Sequence, residues 1–235
     1  MRTRFQMGLD ELKERLLTMG GLAELAVDRA VEAYRLRDIV LCRQVFDGEQ
    51  TINRAERGID GLAIDLLAMQ QPMAVDLRFI TAVMKINADL ERVGDQAVNI
   101  AERVIDMNAY PQVELPVDIP RMAGIVSGMV RRALEAFIHA KADVAEAVLK
   151  MDNVVDEMNR EAFIALANKM HDSPEGTRQA LDTLLIVRNL ERVADHATNI
   201  AEDVIFWVRG KDVRHLGPEA DLDRASAPPQ EPTAT

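Results

Sequence analysis

The sequence predicts an all-α protein of six long helices forming two pseudo-symmetric three-helix bundles, and three observations carry that prediction. Glycine (12) and proline (9) are sparse among 235 residues, which favours long uninterrupted helices over a many-stranded sheet. Hydrophobic residues make up 48% of the chain but aromatics only 4%, so the core is built from Leu, Ile, Val, Ala and Met. Residues 90–105 (LERVGDQAVNIAERVI) and 190–205 (LERVADHATNIAEDVI) match at 12 of 16 positions without a gap, at a constant offset of 100. A duplication of that kind implies two copies of one supersecondary unit.

The elements follow in order. Leu9, Leu12 and Leu16, then Ala23, Ala26 or Val27, Ala30 and Tyr34, recur at the spacing of an amphipathic helix, interrupted only by Gly20-Gly21. Similar patterns cover residues 39–70 and 73–107. Gln70-Gln71-Pro72 breaks between them, with Pro72 suited to the first turn of the following helix. Pro111, Pro116 and Pro120 forbid a continuous helix through the next segment, which reads as a linker. Three further helices are expected at 119–140, 142–170 and 175–209, with Asp172 or Ser173 capping before Pro174 and Gly210 ending the last. The first bundle then spans 1–108 and the second 117–210, and the Pro-, Ala- and Glu-rich segment 217–235 is expected to be a disordered tail.

The charge balance narrows the function. Lys plus Arg number 28 against 39 Asp plus Glu, a net charge of −11, and no run of basic residues occurs. Such a chain repels a nucleic-acid backbone, so direct binding of DNA or RNA is not expected; cations or basic protein faces suit it better. Cys42 is the single cysteine and fits a reducing compartment. No signal-peptide core precedes Asp10 and Glu11, and the longest uncharged stretch, Leu66–Val75, is too short to cross a membrane. A cytoplasmic protein is expected.

The repeated segment holds the residues most suited to chemistry. On a helix turning about 100° per residue, Asp95 lies about 40° and Glu102 about 20° from Glu91, with Asn99 at the margin of the same face. Glu191, Asp195, Asn199 and Glu202 repeat that face in the last helix. An acidic row is ordinarily just the wet side of an amphipathic helix, and Arg92 with Asp95, Arg192 with Asp195 and Arg188 with Glu191 are placed for surface ion pairs worth a few tenths of a kcal/mol. Yet carboxylates four residues apart repel each other, and the arrangement is kept in both copies. Oxygen-only donors suit hard or borderline cations such as Mg, Mn, Ca or Fe, which would turn that repulsion into attraction. One metal site per half is therefore expected, completed by carboxylates of a neighbouring helix.

These residues also resemble a family. The stretch from Gln71, QPMAVDLRFITAVMKINADLERVGDQAVNIAERV, is similar to the PhoU family in its Q-P-x-A-x-D-L-R opening and its L-E-R-x-G-D motif. NLERVADHATNIAEDV repeats the pattern, TMGG at 18–21 resembles the family's start and FWVRGKDVRHLG at 206–217 its close. The resemblance implies a regulator that commonly dimerises and is not an enzyme. It would act at the inner face of the membrane, between the ATPase subunit of a phosphate ABC transporter and a sensor histidine kinase. There it keeps the phosphate-starvation response silent when phosphate is ample. It further implies that Glu91 and Asp95, with Glu191 and Asp195, hold iron, zinc or other cations such as manganese or magnesium. Asp76 joins them as a ligand candidate in the first half; Gly176 stands at its place in the second.

Other residues carry less. His196 follows Asp195 but is replaced by Gln96 in the other copy, so a structural role is expected for it. His139, His171 and His215 have no companions at metal-ligand spacing. The alternative function is a carboxylate-bridged di-metal enzyme, against which stands the lack of Glu-x-x-His in the repeated motif.

Overall fold

In the computed structural model, which describes residues 4–70, 72–172 and 176–213, six helices follow one another: α1 (Arg4–Leu36), α2 (Ile39–Gln70), α3 (Ala74–Met107), α4 (Ile119–His139), α5 (Ala142–Asp172) and α6 (Thr177–Arg209). Helix α1 runs through Gly20-Gly21 without a break because Gly20 is buried against Leu134 of α4, where tertiary packing outweighs low propensity. Pro72 lies just before α3 rather than in its first turn. Met73 is the N-cap, with extended backbone (φ −69°, ψ 162°), and the first helical bond runs from Leu77 N–H to its carbonyl at 2.9 Å. Pro120 falls within the first turn of α4, whose N-cap Asp118 accepts from Arg121 N–H at 3.0 Å. Gly210, at φ +70°, ends α6 by donating to the Phe206 carbonyl at 2.8 Å. Of the two expected caps, Ser173 lies outside the described residues, as do Pro174 and the tail at 217–235, while Asp172 is the last residue of α5 rather than a cap of the next helix.

The duplication extends over all six helices. Shifted by 103, the buried positions of α1 fall on those of α4 (Met19 on Met122, Ala23 on Val126, Val27 on Val130, Ala30 on Ala133). The same shift carries α2 onto α5: Val45 onto Val148, Ile52 onto Val155 and Ile59 onto Ala162, all buried. Even the corners agree. Arg37 and Ala140, equivalent under that shift, are the two non-glycine residues with positive φ among the described residues (55° and 51°), each turning one helix into the next.

Helices α1, α2 and α3 pack on one another, as do α4, α5 and α6, and the halves meet through α3 against α6 and α1 against α4. Buried residues of all six helices form one continuous core. Phe79, Phe137 and Trp207 close its end where α3, α4 and α6 meet, with ring centroids 5.2–5.7 Å apart. Ion pairs and hydrogen bonds lock the seam. Lys85 Nζ is 2.9 Å from Asp203 Oδ1, and Asp89 Oδ1 is 2.9 Å from His196 Nδ1 and accepts from Asn199 Nδ2 at 3.3 Å. Toward the other end Arg103 stands 3.7 Å from Asp182. As residue numbers rise along α3 their partners in α6 fall, so the two helices run antiparallel. Between α1 and α4, Lys13 donates to the Ile138 carbonyl at 2.6 Å, Ser127 to Asp28 at 2.9 Å, and Arg131 pairs with Glu24.

Candidate functional site

Glu91 and Asp95 lie one turn apart on the edge of α3 that meets α2, and α2 answers with Glu49 and Glu56, two turns apart on its own facing edge. Burial pushes the Glu91 carboxyl above the usual range; Asp95, Glu56 and Glu49 add like-charge pressure, and Arg92 relieves part of it. Asp95 is raised by burial and then by Glu49, against the opposing influence of His196. The second half repeats the construction between α5 and α6. Glu191 is raised by burial, then by Asp195 and Asp156, with Arg188 and Arg192 opposing. Asp195 is raised by burial too, with His196 pulling the other way and Asp156 adding to the rise. Asp152 is pushed up to about 6 by burial and by the charges of Asp156 and Asp195.

The clusters are equal in charge and differ in arrangement. Under the shift of 103, Glu49, Asn53 and Glu56 correspond to Asp152, Asp156 and Asn159. Each middle helix therefore contributes two carboxylates and one carboxamide, but the amide sits on the middle rung in α2 and on the last rung in α5. In α2 that amide is engaged, Asn53 donating to Glu49 at 3.2 Å.

The remaining sequence-predicted residues lie elsewhere. Asp76 is in the first turn of α3, about 22 Å along the helix axis from Glu91. Asn99 is half-buried and donates to Gln96 at 3.5 Å, while Glu102 is exposed beside Arg103. Asn199 turns toward α3 and Asp89, and Glu202 shares a groove at that seam with Lys85, Arg92 and Asp203. A face that is continuous on a helical wheel thus splits between two neighbours, because α6 is gripped by α5 on one side and α3 on the other. Of the expected surface ion pairs, Arg188 meets Glu191 at 2.9 Å, but Arg92 turns to the buried Asp89 at 3.8 Å rather than to Asp95. His196 serves the seam, as its absence from the other copy suggested. Glu49, Glu56, Asp152 and Asp156 are the members that reading along one helix did not assign. The signal that finds them is the acidic spacing in α2 and α5 combined with the 103-residue shift.

As the side chains stand, no three His, Cys, Asp or Glu groups among the described residues are close enough together to hold an ion. The donor chemistry nevertheless fits a hard cation: the candidate donors are all oxygen, their carboxyls are raised by burial and then by their neighbours' like charge, and Glu191 Oε2 is buried without a hydrogen-bond partner.

Taken together, fold and site define a helical protein of two repeated three-helix units, each carrying a carboxylate cluster between its second and third helices. The PhoU domain model matches residues 16–104 and again 119–204. The chain belongs to the PhoU family. It is 40% identical over 217 residues to the phosphate-specific transport system accessory protein PhoU homologue of Pseudomonas putida, covering 91% of this chain and 84% of that one. The homologue of the same name from Caulobacter vibrioides is 35% identical, over 91% of this chain and 94% of that one. Among solved structures, the crystal structure of PhoU from Pseudomonas aeruginosa superposes with a TM-score of 0.84 at 38% identity, covering 88% of this chain and all (100%) of that one. The phosphate transport system regulatory protein PhoU from Streptococcus pneumoniae gives 0.83 at 26% identity, over 89% and 99% of the two chains.

Proposed function

We propose that this protein is a non-enzymatic regulator of phosphate uptake and a negative regulator of the phosphate-starvation response. It would act as a cytoplasmic homodimer between the ATPase subunit of a phosphate ABC transporter and a sensor histidine kinase. The observation that carries this reading is the family relationship over nearly the whole chain, with relatives named as accessory proteins of phosphate-specific transport. The geometry supports it in kind. Long helices offer extended faces to partners, and no described helix is long and apolar enough to cross a membrane, so contact with the membrane would come through the partners. The carboxylate clusters at Glu91 and Asp95, and at Glu191 and Asp195, would hold iron, zinc, manganese or magnesium. A bound cation would draw α2 onto α3 and α5 onto α6, fixing the faces that partners read.

Co-purification of the tagged protein with the cognate transporter ATPase and kinase, from cells grown in ample phosphate, tests the adaptor role. Recovery of both is expected. Reproducible recovery of neither, with the bait folded and abundant, would overturn it.

A further inference from the structure

The internal repeat supplies a control that a single-copy protein lacks: each surface position in one half has a counterpart in the same fold environment in the other. Beyond the acidic cluster, the α5–α6 groove widens into a cavity of about 590 Å³ lined by Asp156, Asn159, Arg160, Phe163, Leu184, Leu185 and Arg188. Phe163 is 57% exposed, Leu185 40% and, beside them, Leu181 43%. Their counterparts in the first half are Asp60, Lys85 and Thr81. These three are polar and engaged by the fold, Asp60 accepting from Asn87 at 2.9 Å within the first half and Lys85 turning to α6 to pair with Asp203 at 2.9 Å, while Leu184 keeps an apolar counterpart in Met84. The fold therefore does not require apolar side chains at these positions. Single exposed hydrophobics are ordinary, but a contiguous group facing water beside a groove marks an interaction surface.

We propose that the α5–α6 groove docks an amphipathic helix of another protein, with an apolar anchor seated between Phe163 and Leu185 and basic side chains over the acidic cluster. Charge selects that occupant. Arg160 and Arg188 on the walls are already paired, with Glu157 and Glu191 respectively, so while no cation occupies the cluster the field at the groove's inner end is set by Asp156 on its wall, with Asp152 and Asp195 close by. Asp156 lies seven residues from Phe163, and Glu191 seven from Leu184, about 10 Å along each helix. A helix lying in the groove matches that layout with Lys or Arg two turns from its anchor. A second copy of this chain is disfavoured as occupant by its own charge of −11, and the segment beyond residue 217 by its acidic composition. The proposal stands apart from the phosphate reading, since it concerns the chemistry of the partner and not its identity.

The test uses the full chain, freed of metal by chelation, and a labelled helical peptide of about 18 residues, with a Leu/Phe stripe and Lys two turns from the central Phe. A second peptide has Glu in place of Lys. Transplanting the first half's surface, Phe163→Asp with Leu181→Thr and Leu185→Lys, alters exposed positions only. Wild type is expected to bind the basic peptide at least about tenfold more tightly than does the transplanted variant, and more tightly than it binds the acidic peptide. Hydrogen exchange on the unmutated protein is expected to slow at residues 156–163 and 181–191 when the basic peptide is added. Equal binding of both peptides, equal binding by wild type and variant, or protection elsewhere would overturn the proposal. So would a dimer that the three substitutions convert to a monomer, which would make the occupant a second copy.

Discussion

The side chain of Ile52 fills the space that a β-carbon on Gly94 would occupy: its Cδ1 lies 2.9 Å from where that carbon would stand. The second half solves the same contact with the volumes exchanged, Val155 standing for Ile52 and Ala194 for Gly94, all four residues being buried. The motif's one glycine is thus a packing choice in α3, made beside the carboxylates of Glu91 and Asp95.

This exchange predicts a coupled pair. Gly94→Ala overpacks the contact and is expected to cost about 1 kcal/mol, the gain in helix propensity offsetting part of the strain. Ile52→Val removes one methyl group for a cost of about 1 kcal/mol. The double variant recreates the second half's pair and should be more stable than the sum of the two by about 1 kcal/mol. Urea denaturation of the four proteins measures the cycle; strict additivity would show that the two positions do not share this space.

A second prediction concerns pH. Asp152 titrates at about 6 in the folded protein against an ordinary value of 3.8, so folding binds its proton more tightly. A raised carboxyl destabilises the fold above about pH 6, an effect that fades as pH falls through that value and is gone below about 3.8. Asp152→Asn in metal-free protein is therefore expected to stabilise by about 1 kcal/mol at pH 7.5, discounted for solvent screening, and not at all near pH 3.8. Stability curves of both proteins across that range check it; a loss of stability at pH 7.5 would mean that the carboxylate is held by something favourable.

Cation binding should be divisible by half. Glu91→Ala with Asp95→Ala is expected to abolish the metal held by the first bundle, and Glu191→Ala with Asp195→Ala that of the second. All four changes together should leave none. Because binding to the folded state alone stabilises it, excess manganese should raise the melting temperature of wild type by several degrees and that of the quadruple variant by none. Metal analysis by mass spectrometry and thermal melts read the two effects; equal metal in wild type and the quadruple variant would place the ions elsewhere.

The seam between the halves offers a fourth. Asp89, buried in α3, meets half-buried His196 and exposed Asn199 of α6, so Asp89→Ala removes both of their hydrogen bonds across the interface. A cost of about 1–2 kcal/mol is expected. Since Trp207 packs on Phe79 and Phe137 at one end of that interface, its fluorescence reports whether the seam loosens before the helices melt.

Much of this fold is legible in the amino-acid sequence. The helices follow from apolar spacing and from the few breakers, and the pseudo-symmetry from one ungapped repeat. Helix-wheel geometry also placed Glu91 with Asp95 and Glu191 with Asp195. It failed for Asn199 and Glu202 because a wheel shows a helix's faces but not its neighbours, and α6 has α3 on one side and α5 on the other. Pro72 misled by two positions, since the extended Met73 is the N-cap and α3 starts at Ala74. The middle-helix acids Glu49, Glu56, Asp152 and Asp156 belong to the clusters only through packing across α2–α3 and α5–α6, which periodicity along a single helix does not reveal.

The most direct measurement is the output of the phosphate-starvation response in cells growing on ample phosphate, with the gene deleted and then restored as wild type or as the variant lacking all four carboxylates at 91, 95, 191 and 195. Constitutive output on deletion, silenced by wild type and left high by a folded but metal-free variant, is the predicted result. A deletion strain whose output stays low in ample phosphate would contradict the proposed role of this protein.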